Sequence, residues 1–110
     1  EEQVRQYCIN VLTKQFGYPK SAIAVEGQIN LNSMTRRFDI LVYDKALKPF
    51  LLVECKRKEV KLTQQTIDQV VSYNFAIQAP YIMITNSLTT YLIEYKDGEY
   101  AFLDTLPAYR

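Results

Sequence analysis

Pro49-Phe50-Leu51-Leu52-Val53-Glu54-Cys55-Lys56 is a strand-like run that turns charged at its end. Beyond it, Thr63 stands as a helix N-cap, and Ile67, Val70, Val71 and Ile77 lay an apolar stripe along residues 64–77. Pro80 is expected to end that helix. Tyr81-Ile82-Met83-Ile84-Thr85 then reads as a central strand covered on both faces, because its apolar character is nearly continuous. Strand, helix and strand in that order form a crossover, so the two strands are predicted to lie parallel.

Outward from this unit the signals are more local. Val4, Cys8, Val11, Leu12 and Phe16 recur at helical spacing over about residues 2–16, and Gly17-Tyr18-Pro19 stops them. Residues 21–31 read as extended, with Gly27 as a point of bending or bulging, and Asn30 to Thr35 as a hairpin turn. Arg37-Phe38-Asp39-Ile40-Leu41-Val42-Tyr43 belongs to a strand over 36–43, joined to 49–56 by the polar turn Asp44 to Lys48. Thr90 to Tyr95 and Tyr100 to Leu103 make a closing hairpin through Asp97-Gly98. The predicted order is αβββαβββ: an α/β (α+β) domain whose central mixed sheet is flanked by helices.

At 110 residues, 48% apolar and 23% charged, the chain is expected to be one soluble domain, residues 1–110. Beginning at Glu1 rather than Met, it reads as a fragment of something longer. No apolar run nears the roughly 20 residues of a membrane span, and no signal-peptide pattern is seen, so the expected compartment is the cytoplasm. Cys8 and Cys55 read as reduced core thiols. The absence of histidine excludes Ser-His-Asp and Cys-His catalysis and His-type metal sites. A metal would need oxygen ligands, which favours Mg²⁺, Mn²⁺ or Ca²⁺.

Charge is uneven along the chain. Residues 36–61 hold eight Lys/Arg against four acids, while the rest holds five against eight. Such a local excess suits a phosphate backbone, though a solvated surface would carry it too.

Asp39, Glu54 and Lys56 interrupt otherwise apolar strands and spell D-x14-E-x-K. Period-2 alternation puts Glu54 and Lys56 on one face and Cys55 on the other, with Asp39 on the face of Arg37 and Leu41. If the two strands pair, Asp39 and Glu54 lie side by side, and a divalent cation relieves their repulsion. Lys56 can then orient a water or neutralise developing charge. Gln69 and Tyr73, at i and i+4, share a helix face that can reach the metal or a phosphate. Arg57 and Lys58 extend the basic character where a backbone would approach. The plain alternative is a cross-strand ion pair on a solvated sheet, with a surface Gln and a core Tyr on the helix.

Asp39, Glu54-Cys55-Lys56 and Gln69-Val70-Val71-Ser72-Tyr73, behind an N-terminal helix, resemble the PD-(D/E)xK nuclease superfamily, the last motif being that of its RecB-like branch. Glu1-Glu2-Gln3-Val4-Arg5, Phe16-Gly17-Tyr18-Pro19, Arg36 to Ile40, Pro49 to Lys56 and Ala79-Pro80-Tyr81 look more narrowly like the N-terminal nuclease domain of type I restriction-enzyme R subunits. The likeness spans about residues 1–95. It implies a restriction-endonuclease-like fold and Mg²⁺-dependent hydrolysis of DNA, Mn²⁺ being the substitute ion. Asp39 and Glu54 would hold the metal, Lys56 would act in catalysis, and Gln69 and Tyr73 would contact the site or DNA. A first-helix acid would complete the ligands, with Glu1 in the better register and Glu2 the alternative. Phe38 stands where the motif's name has Pro. Motor and specificity subunits or domains are implied as partners, and none is encoded here. Three readings stay open: a metal-dependent endonuclease domain, a non-catalytic nucleic-acid-binding or protein-interaction module that keeps the fold, or a small surface-charged structural domain with no ligand.

Overall fold

The computed structural model describes residues 2–31 and 34–110. Its elements are α1 (Glu2–Asn10), β1 (Ile23–Leu31), β2 (Met34–Tyr43), β3 (Pro49–Cys55), α2 (Gln64–Ile77), β4 (Tyr81–Thr85), β5 (Thr90–Lys96) and β6 (Glu99–Leu103). The six strands form one sheet in chain order. β3 and β4 are parallel, joined over the sheet by α2, and every other neighbouring pair is antiparallel. β4 is buried along its whole length and β3 is buried except at Pro49 and Glu54, which is why both read as apolar runs.

The sheet separates two cores. Leu51, Val53 and Cys55 of β3 pack with Val4, Cys8 and Leu12 of the first helix. Leu52 packs on the other side with Ile67, Val70 and Ile77 of α2. Cys8 and Cys55 are free and buried, and the Cys55 thiol donates to Cys8 Sγ at 3.8 Å. This contact fastens the first helix to β3 directly behind Glu54 and Lys56.

Three local departures from the predicted elements have physical causes. The first helix widens into a π-helical turn over Val11–Gln15, with Phe16 N–H bonded to Val11 O at 3.2 Å. Thr13 Oγ1 bonds Ile9 O at 2.8 Å, so a side chain competes for a carbonyl of the α-helical ladder just where it loosens. α2 has its predicted N-cap at Thr63, which forms a reciprocal capping box with Thr66, worth about 1 kcal/mol. It keeps the predicted bounds, but what stops it lies ahead of Pro80. Gln78 adopts a left-handed cap at φ 59°, and the fully buried Asn74 bonds both the N–H and the C=O of Ala79.

The third departure shapes the site. Alternation would seat Phe38 beside Ile40 and Val42, yet it joins the core of Leu41 and Leu52. Both strands of the β1–β2 pair therefore turn over across Glu26 and Asp39, between the pairs Val25–Ile40 and Gly27–Phe38. Glu26 carries the turn with φ 50°, and Gly27 leaves the space the Phe38 ring fills. Gly27 does mark an irregularity, as expected, but the strained residue is its neighbour. The predicted turn at 30–35 falls partly on Asn32 and Ser33, outside the described residues; β1 and β2 are paired up to Leu31 and Met34.

Candidate active site

The β2–β3 ladder starts at Ile40–Val53 and has no backbone pair at Asp39 and Glu54. There the Asp39 carboxylate takes over, its Oδ2 accepting Cys55 N–H at 2.8 Å. The next amide, of Lys56, bonds Thr85 O in β4 at 2.9 Å. The strands thus part at the charged end of β3, and a cleft of about 550 Å³ opens where they do. Helices from opposite faces of the sheet both reach it: Arg5 from α1, and Gln69, Val70 and Tyr73 from α2.

The structure brings five of the predicted residues together here. Asp39, Glu54, Lys56, Gln69 and Tyr73 all line this cleft. Lys56 Nζ lies 3.2 Å from Glu54 Oε2, both side chains about 30% exposed, so the pair can meet solvent or a ligand. Gln69 is exposed and Tyr73 half-buried. Arg57 and Lys58 are placed elsewhere, in an adjoining depression with Glu2, Tyr7 and Ser87. Glu1 lies outside the described residues. Glu2 lies at the rim of that second depression, bonded to Gln6 and Arg5, and those bonds hold its carboxyl below the usual range.

Two residues of the site were not anticipated from the sequence. Arg5 is nine-tenths buried, with Nη2 at 3.0 Å from Glu26 Oε1 and Nη1 at 3.9 Å from Asp39 Oδ1, besides its ion pair with Glu2. Burial works against its charge, but the hydrogen bond to Glu2 and the charges of Glu2, Glu26 and Asp39 outweigh it and raise its pKa. Glu26 enters the cleft from the turned-over point of β1. The available signal was Gly27, which marks the spot, and Arg5 itself, a cation on the buried stripe of an amphipathic helix.

The donor set suits a hard divalent ion. Asp39 and Glu54 supply carboxylate oxygens on adjacent strands, and among the described residues no group of three His, Cys, Asp or Glu gathers into a complete cage. Two carboxylates with room for water and a phosphate is the manner in which Mg²⁺ is commonly bound.

A mixed six-stranded sheet with a helix on each face, and a charged cleft where two central strands part, defines an α+β domain of the restriction-endonuclease-like class. Within that class, the chain belongs to the family described as type I restriction enzyme R protein N terminus (HSDR_N), whose model matches residues 1–107. No match is found among curated proteins. No described helix is long and apolar enough to cross a membrane.

Proposed function

We propose that this chain is a metal-dependent endonuclease domain that hydrolyses DNA phosphodiester bonds as part of a type I restriction system. The observation that carries this reading is the convergence of Asp39, Glu54 and Lys56 with Gln69 and Tyr73 on one cleft, in a member of the R-subunit family. It is also the arrangement expected of a PD-(D/E)xK site.

Asp39 and Glu54 would hold Mg²⁺, or Mn²⁺ in its place. The ion, when bound, polarises the phosphate and makes a water more acidic. Lys56, its ammonium 3.2 Å from Glu54 Oε2, would orient the attacking water and meet charge growing on the phosphate. Gln69 can donate its amide to a phosphate oxygen from the helix side. Arg57 and Lys58, one depression away, suit the flanking backbone rather than the reacting phosphate. DNA is the substrate in this reading, the motor and specificity functions come from other domains or subunits, and the setting is the cytoplasm.

A second reading, a binding module that keeps the fold without catalysis, is favoured by one observation. Both carboxylates already face internal cations, Asp39 with Arg5 and Glu54 with Lys56. Calorimetric titration of Mg²⁺ and Mn²⁺ into wild type and Asp39→Ala, with plasmid nicking on the same samples, separates the two. The nuclease reading expects binding and nicking that vanish together in Asp39→Ala. Nicking that persists undiminished in the variant rejects the assignment, and DNA affinity without metal binding or cleavage favours the module.

A further inference from the structure

We infer that Arg5 is the positioning residue of this site: it fixes the Asp39 carboxylate against the Cys55 amide and, as a resident cation, keeps Glu2 and Glu26 from competing for the metal. The metal part of this inference rests on the endonuclease reading above; the positioning part does not.

The geometry carries it. Arg5 reaches from α1 into the cleft, and its guanidinium meets a carboxylate from each of α1, β1 and β2. A cation this buried is tolerated only when paired, so removing it would leave three carboxylates facing one another. Its planar fork divides the work. Nη2 takes Glu2 and Glu26, leaving Nη1 beside Asp39 Oδ1 at 3.9 Å while Oδ2 stays with Cys55 N–H at 2.8 Å. Arg5 Nε is buried with no hydrogen-bond partner among the described residues, so the orientation of the group is set by its two terminal nitrogens. Lysine, with one point charge, would not face all three carboxylates at once, the Asp39 contact at 3.9 Å being one of charge rather than a hydrogen bond.

Two variants separate geometry from charge. Arg5→Lys keeps the charge and loses the fork. The Cys55 amide, read by hydrogen exchange in NMR, is expected to lose protection, and Mg²⁺ affinity to fall about tenfold, the usual effect of losing a group that orients a ligand. Arg5→Met removes the charge. Its melting temperature is expected to drop in chelator and to recover with Mg²⁺ by more than the wild type gains, because Glu2, Glu26 and Asp39 would then take a cation. An unchanged Cys55 amide in Arg5→Lys overturns the positioning role. A Mg²⁺ response in Arg5→Met no larger than wild type overturns the resident-cation role. If Arg5→Met does not fold, Glu26→Gln decides: a glutamate that Arg5 keeps from the metal can lose its charge with Mg²⁺ affinity unchanged, and weakened binding overturns the same role. Should neither wild type nor any variant bind metal while the Cys55 amide responds, the endonuclease reading fails and the positioning of Asp39 by Arg5 stands.

Discussion

Asp39 Oδ2 and the main-chain N–H of Cys55 are 2.8 Å apart, and this bond closes the β2–β3 pair where its backbone ladder stops. Asp39→Ala leaves the amide without its acceptor at a partly buried site, at a cost of about 1–3 kcal/mol. Asp39→Asn keeps an acceptor of the same shape and loses only the charge. Urea denaturation should therefore rank Asn above Ala in stability, while both lose metal affinity. Equal stabilities would mean that the bond does not hold the strands.

A Cβ added at Gly27 would lie 2.3 Å from Phe38 Cζ, and the ring is held in the α2-side core. Gly27→Ala is expected to cost about 1–3 kcal/mol through overpacking. Shortening the ring in Gly27→Ala/Phe38→Leu should restore part of that loss. A double-mutant cycle in denaturant measures the coupling, and strict additivity would show that the contact is not what excludes a side chain.

Asn74 bonds both polar groups of Ala79, at 2.9 and 3.0 Å, inside the core beyond the end of α2. Asn74→Ala orphans a buried N–H and a buried C=O and should destabilise by about 1–3 kcal/mol or more. Gln78→Gly, at a left-handed cap with φ 59°, should stabilise by about 1 kcal/mol. Thermal melts of the two variants should move in opposite directions.

Burial, with a smaller contribution from Tyr81, pushes the Tyr18 phenol up to about 12 from its ordinary 10, and its hydroxyl donates to Pro107 O. The unfolded chain then releases this proton before the folded one does. Stability from Tyr18 is complete below pH about 10 and is lost as pH rises toward 12. Tyr18→Phe should flatten the fall of stability between those values, which alkaline unfolding curves would register.

The hydrogen bond to Cys8, and then burial, raise the Cys55 thiol far above its ordinary value. Both thiols should resist an aromatic disulfide reagent in the native protein and react in denaturant. Rapid labelling under native conditions would mean that the first helix lifts readily from β3.

The crossover was legible because burial on both faces leaves no polar alternation in β3 or β4, so each reads as a continuous apolar run. Charged residues that break such a run had to sit at an opening, and Asp39, Glu54 and Lys56 do. The helix positions Gln69 and Tyr73 followed from the same crossover, since a helix over β3 must look down on its end. Arg5 and Glu26 were not legible, because their meeting depends on two strands turning over together. Local periodicity carries no record of that event; it is set by the left-handed Glu26 and the seating of Phe38 on Gly27. Arg57 and Lys58 adjoin the motif in sequence, yet the chain leaves the sheet after Cys55 and carries them to a neighbouring surface.

The parting of β2 from β3 makes Asp39 a latch as well as a ligand candidate. Elsewhere along this pair, main-chain bonds that do not depend on a side chain fix the spacing of the strands. At the mouth of the cleft a single carboxylate does so, and anything that draws it away, whether ion, phosphate or mutation, also frees the tip of β3 from β2, leaving it on β4 alone. Occupancy of the cleft and its width are thereby one variable, and a probe of the Cys55 amide reads both.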